Sequence, residues 1–139
     1  MNNQRGFSLI EIMVVVVILG ILASLVIPKI MSRPDEARLV KAKQDVLAIQ
    51  NALDLYKLDN NVYPSTDQGL MALVEKPTST PLPLDWKPYL KSLPKDPWGN
   101  EYLYLNPGQH GDVDVFTYGP AGQADTTGTH AEIGNWNAN

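Results

Sequence analysis

Residues 5–28 read RGFSLIEIMVVVVILGILASLVIP. From Phe7 to Ile27 the run is apolar or small apart from one acid, Glu11. A helix of that length, rising 1.5 Å per residue, crosses a hydrocarbon core of ~30 Å. An ionisable side chain inside such a span is unfavourable by a few kcal/mol unless a partner neutralises it. Three readings follow. A secretory signal peptide would use Arg5 as its basic flank. Against it, the apolar run exceeds the usual ~7–15 residues, and Glu11 stands where that run should begin. A plain signal anchor explains the length and leaves Glu11 unexplained. The third reading uses every oddity together. A cut after Gly6 places a new amino terminus on Phe7, with Glu11 four residues on. At that helical spacing the carboxylate neutralises the amine of its own chain, or equally that of a neighbouring chain. In the second case each acid is satisfied only by another subunit, which gives the chain a reason to polymerise.

The helix is expected to continue past this run. Pro28 and Pro34 each remove a backbone N–H and crowd the preceding turn, so each should kink or loosen it, with Gly20 a further weak point. Asp35 and Glu36 favour a helix start just after Pro34. Leu39, Ala42, Val46, Ile49, Leu53 and Tyr56 then recur at three- and four-residue steps, the apolar stripe of an amphipathic helix. If helix runs from Phe7 to about Leu58, it is roughly 75–80 Å long. The sequence divides accordingly into a leader (1–6), a membrane and polymerisation helix (7–28), its amphipathic continuation (29–58) and a globular part (59–139).

DNNVYP, residues 59–64, is a turn cluster that ends the helix. Ser65 and Gln68 have capping-box spacing, so a short helix burying Leu70, Leu73 and Val74 is expected to about Glu75. Six prolines between 77 and 97 rule out regular structure there. Trp86, Tyr89, Leu90 and Leu93 are placed to fasten that loop to a core. Strands are expected at 101–105, at 113–118 around Val113, Val115 and Tyr118, and at 131–136. The fold class is α+β: a long N-terminal helix packed against a short helix and a small antiparallel sheet.

Several function classes lose support. The net charge is −4 and no basic stripe alternates with aromatics, so nucleic-acid binding has little basis. There are no cysteines, hence no disulfide framework or thiolate metal site. His110 and His130 sit singly in loops, where imidazoles are usually solvated, and show no zinc spacing. Phosphate-loop and nucleophile-elbow patterns are absent from the sequence, so no catalytic residue is assigned. Asp112 and Asp114 read as strand-edge charges.

The opening motif resembles the class III signal of type IV pilins and pseudopilins. LDLYKLDNNVYPSTDQGLMALV, LPKDPWGNEYLYLNPGQHGDVDVFTYGPAG and IGNWN further resemble the major pseudopilins of type II secretion systems, over essentially the whole chain. Ordinary type IV pilins usually carry a C-terminal cysteine pair, which this chain lacks. The resemblance implies a type IV pilin-like fold and a prepilin peptidase and N-methyltransferase that cuts between Gly6 and Phe7 and methylates Phe7. It implies assembly through Glu11, with Ser8 helping to hold a neighbouring terminus. It also implies a homopolymer in the inner membrane and periplasm that works with minor pseudopilins and with an assembly platform and its ATPase. The alternatives are a type IV pilin or minor pseudopilin, or a membrane-anchored binding module that never polymerises. Finally, the resemblance implies a calcium ion in the C-terminal loop. Here Ala121 and Ala131 stand where aspartates are expected, leaving Asp125, Glu132 and the Tyr118 carbonyl. That depleted donor set weighs against calcium, because fewer carboxylates lower affinity.

Overall fold

The computed structural model describes residues 5–124 and 132–139, with the side chains of 25–33 left aside. One helix, α1, runs Leu9–Asn60. The chain stays helical through Gly20, Pro28 and Pro34. The helix start expected after Pro34 is therefore not a separate start: the helical runs on either side outlast the one backbone bond that each proline removes. The molecule divides into two compact units, Met1–Ala37 and Arg38–Asn139.

In the second unit, α1 buries one face. Ala42, Val46, Ile49, Leu53 and Tyr56 are almost fully buried, and Ala52 joins them. Leu39, expected in that stripe, is 41% exposed. Its turn lies at the edge of this unit, where the helix outruns the surface it packs on. The helix ends at Asn61, whose φ of 68° turns the chain left-handed while its N–H donates to the Lys57 carbonyl at 2.7 Å. Asparagine tolerates that conformation better than most residues.

The capping box forms: Gln68 N–H donates to Ser65 Oγ at 3.1 Å, and Ser65 N–H to Gln68 Oε1 at 3.0 Å. It does not open an α-helix. Gly69, at φ 65° and ψ −171°, redirects the backbone, and only a 3₁₀ turn, Leu70–Leu73, follows. Leu70, Ala72 and Leu73 are buried and Val74 is only half-buried, so the expected helix to Glu75 is shorter and tighter than its sequence pattern. The proline-rich loop is fastened as expected. Trp86, Tyr89, Leu90 and Leu93 pack on the core. Trp86 Nε1–H donates to the Ala72 carbonyl, and the amides of Tyr89 and Leu90 both donate to Leu73.

Three antiparallel strands follow: β1 (Leu103–Leu105), β2 (Asp114–Thr117) and β3 (Ile133–Gly134), in the order β1–β2–β3. Each is shorter than the sequence pattern. The register pairs Tyr104 with Val115 and Leu103 with Phe116. Tyr104, Val113 and Val115 join the cluster containing Val46, Ile49, Leu53 and Tyr56. Phe116 and Tyr118 instead meet each other edge to face, so Tyr118 does not continue the Val113–Val115 alternation.

Ile49 is at the centre of this cluster, and burying such a side chain contributes about 1.5–3 kcal/mol. Ile49→Ala should lower the unfolding free energy of the second unit by about 2–5 kcal/mol, from the lost transfer term plus the cavity. Leu55→Ala, on the exposed face of the same helix, should stay within about 0.5 kcal/mol. Denaturant unfolding of the detergent-held chain, followed by tryptophan fluorescence, checks both.

Candidate functional sites

The N-terminal site is built on the first turn of α1. Ser8 stands just before the helix, and its Oγ accepts the Glu11 backbone N–H at 3.3 Å, while its carbonyl accepts from Ile12. This is half of a capping box, which satisfies one of the helix's orphan donors. The helix start thus fixes where Glu11 lies relative to Phe7. The Glu11 side chain is exposed, and among the described residues no cation pairs with it. Around it Phe7, Leu9, Ile10, Ile12 and Met13 are all more than half exposed, as are most apolar residues on to Leu22. Over the described residues, no helix is long and apolar enough to cross a membrane.

The C-terminal site departs from the expected donor set. Tyr118 is half-buried, and Glu132 is half-buried with its backbone carbonyl taken by Asn137 Nδ2. Asp125 and Ala131 lie outside the described residues, as does His130. The turn at Gly119–Gly122 closes on itself, with Gly122 N–H donating to Gly119 and Gly119 N–H to Thr117 Oγ1. Among the described residues no three acidic or imidazole side chains converge. Calcium takes six to eight oxygens, and the described donors do not fit that demand.

Two residues take different roles from those their sequence context suggested. Asp114 is not a strand-edge charge: it is buried, accepting from the amides of Gln109 (2.8 Å) and His110 and from His110 Nδ1 (3.0 Å). His110 is not a free loop imidazole, since its ring also stacks on Trp136 at 3.7 Å and 10°. Asp112 is exposed, as expected. A second buried acid, Asp96, accepts from the amides of Trp98 and Asn100 and from the Thr117 hydroxyl. The DPWGN turn announced a bend but not the burial of its aspartate, which needs Thr117 from β2.

An apolar helix opened by a serine cap, with an acid five residues past a glycine, leads here into a helix packed on a small antiparallel sheet: the build of a pilin-like subunit. Residues 1–27 match the family described as Prokaryotic N-terminal methylation motif. Residues 29–136 match Type II secretion system (T2SS), protein G, and the chain belongs to that family. It is 58% identical to type II secretion system core protein G of Vibrio cholerae over 139 residues, covering 99% of this chain and 94% of the relative. To the Pseudomonas aeruginosa core protein G it is 59% identical over 137 residues, covering 97% and 96%. The crystal structure of the major pseudopilin from the type 2 secretion system of enterohaemorrhagic Escherichia coli matches with a TM-score of 0.69 and 47% identity, over 76% of this chain and 88% of that one.

Burial pushes the Asp114 carboxyl up, but the hydrogen bonds from the His110 ring and the two amides outweigh it, and the net shift is downward. A lowered folded-state value contributes stability above the ordinary aspartate range, which is lost as pH falls through the folded value. Asp114→Asn should therefore lower the melting temperature at neutral pH, where a buried amide faces two N–H donors. The gap to the parent should narrow as pH drops below about 4. Thermal melts across that range read both effects.

Proposed function

We propose that this chain is a structural subunit that polymerises into a type II secretion pseudopilus, helping to move folded proteins from the periplasm across the outer membrane. The leader stays cytoplasmic, in line with Arg5 before the apolar run and the excess of cations on that side of membranes. A prepilin peptidase cuts between Gly6 and Phe7, and the Phe7 amine is methylated. Phe7 to Pro28 holds the subunit in the inner membrane, with the domain in the periplasm. Assembly is driven by a partner ATPase through an inner-membrane platform, and minor pseudopilins join the filament. No catalytic step falls to this chain.

One observation carries the reading. Glu11 is a carboxylate without a described partner, on a helical stretch whose apolar side chains are exposed. Copies of the same helix cover those side chains, and a neighbour's Phe7 amine neutralises the acid. A partner is worth a few kcal/mol in that setting, because an unpaired ion inside an apolar phase is unfavourable by that amount. The membership in the protein G family supports the filament; the match of residues 1–27 to the methylation motif supports the cut and the modified terminus.

Mass spectrometry of the mature chain should find an N-terminus at methylated Phe7; a cut near Ala23, or none, contradicts the processing. Glu11→Leu should leave cleavage intact while secretion falls about tenfold or more, the factor that each 1.4 kcal/mol of lost pairing implies. Normal filaments and secretion from that variant would remove the physical basis of the polymer.

A further inference from the structure

The family resemblance places calcium in the C-terminal loop, yet the described donors do not fit that ion, and the segment after the loop is held by other means. We infer that this chain seats its C-terminal segment, residues 132–139, without calcium, on a protein-only clamp centred on His110, Trp136 and Asn135.

The clamp has three parts. Asn135 is the first. Its side-chain N–H₂ donates to Gln50 Oε1 on α1 at 2.7 Å and to the Val113 carbonyl at 2.8 Å. Its Oδ1 accepts from Val115 N–H, and its own N–H donates to the Val115 carbonyl at 3.0 Å. One side chain thus ties the segment to both the helix and β2. Trp136 is the second. Its indole lies between the His110 ring and Phe116, whose centroid is 5.8 Å away. His110 is held in turn by buried Asp114, so the indole rests on a fixed surface rather than a mobile loop. Gly134 leaves room for it: a Cβ there would stand 2.4 Å from the indole ring. Asn137 is the third. It closes the segment on itself, accepting from Gly134 N–H and donating to the Glu132 carbonyl.

These contacts supply what a bound ion supplies in a loop: fixed ends and satisfied backbone groups. They differ in one measurable way. An ion that binds only the folded state raises stability with its concentration, whereas a clamp of side chains does not.

The test is the melting temperature of the full chain in detergent, with excess calcium and with excess EGTA. The two melts should agree within about 2 °C; a seat held by calcium at 100 times its Kd would separate them by about 10 °C or more. His110→Ala should lower the melt by roughly 5 °C or more, by the same amount in both conditions, as the stack and its packing are lost. Calcium titration calorimetry on the unaltered protein needs no variant to fold and should show no saturable heat. A drop on chelation, a saturable calcium heat, or a His110→Ala variant that melts like the parent would each overturn the inference.

Discussion

A carboxylate on an apolar helix has to be neutralised, and in this chain the means lies outside the described fold. Glu11 sits one turn from Phe7, its backbone N–H capped by Ser8, with its side chain in the open and apolar neighbours on every side. Water would solvate the acid but not the surface around it. A lipid or helix environment would cover the surface but leave the acid unfavourable by a few kcal/mol. An assembly of identical chains meets both demands at once, provided the processed Phe7 amine of one chain meets the Glu11 of another. On this reading, cleavage after Gly6 does more than remove a leader, since it creates the cation that the acid requires.

The second unit meets a different demand. Its share of α1 is amphipathic, with Val46, Ile49, Leu53 and Tyr56 buried and Leu55 and Leu58 exposed. The sheet is small, with strands of two to four residues, so ladder bonds alone fix little of it. Much of the order comes from polar side chains that reach across long stretches of sequence. Tyr102 donates to Asp45 on α1, Tyr104 to the Pro64 carbonyl, and Asn60 links the helix end to both Asp85 and Tyr89. Tyr89 donates its hydroxyl to Asp59 at 2.8 Å, and burial together with that acid pushes the hydroxyl up to about 12. Buried Asp96 and Asp114 do the same work for the loops on either side of β1.

What could be read from sequence follows the range of the interaction concerned. The stripe from Ala42 to Tyr56 was legible because helical periodicity is local, and so was the Ser65–Gln68 box. Leu39 fits the same period, yet is exposed, because a period says which face a residue lies on and not where the packed surface ends. The helix expected after Gln68 failed at Gly69, where one positive φ overrides a capping signal. Asp114 and His110 read as solvated loop residues because their partners are tertiary: the Gln109–His110 turn folds back on the Asp114 carboxylate, and the His110 ring stacks on Trp136, more than twenty positions away. The Glu11 motif was legible because the acid, the glycine and the apolar run all lie within a few turns. Ala121 and Ala131 mark the expected donor set as depleted in the sequence itself, whereas the contacts of Asn135 with Gln50 and of Trp136 with His110 join residues far apart in the chain.

The central claim is an ion pair between chains, and it can be observed as a distance. Filaments grown from a mixture of subunits, half labelled with ¹⁵N and half with ¹³C, would be measured by solid-state NMR. Such a sample reports only contacts between different chains. The account predicts a contact between the Phe7 amine nitrogen and the Glu11 carboxyl carbon at ion-pair range, ~4 Å. A contact seen only when both labels are on one chain, or in neither sample, would contradict it.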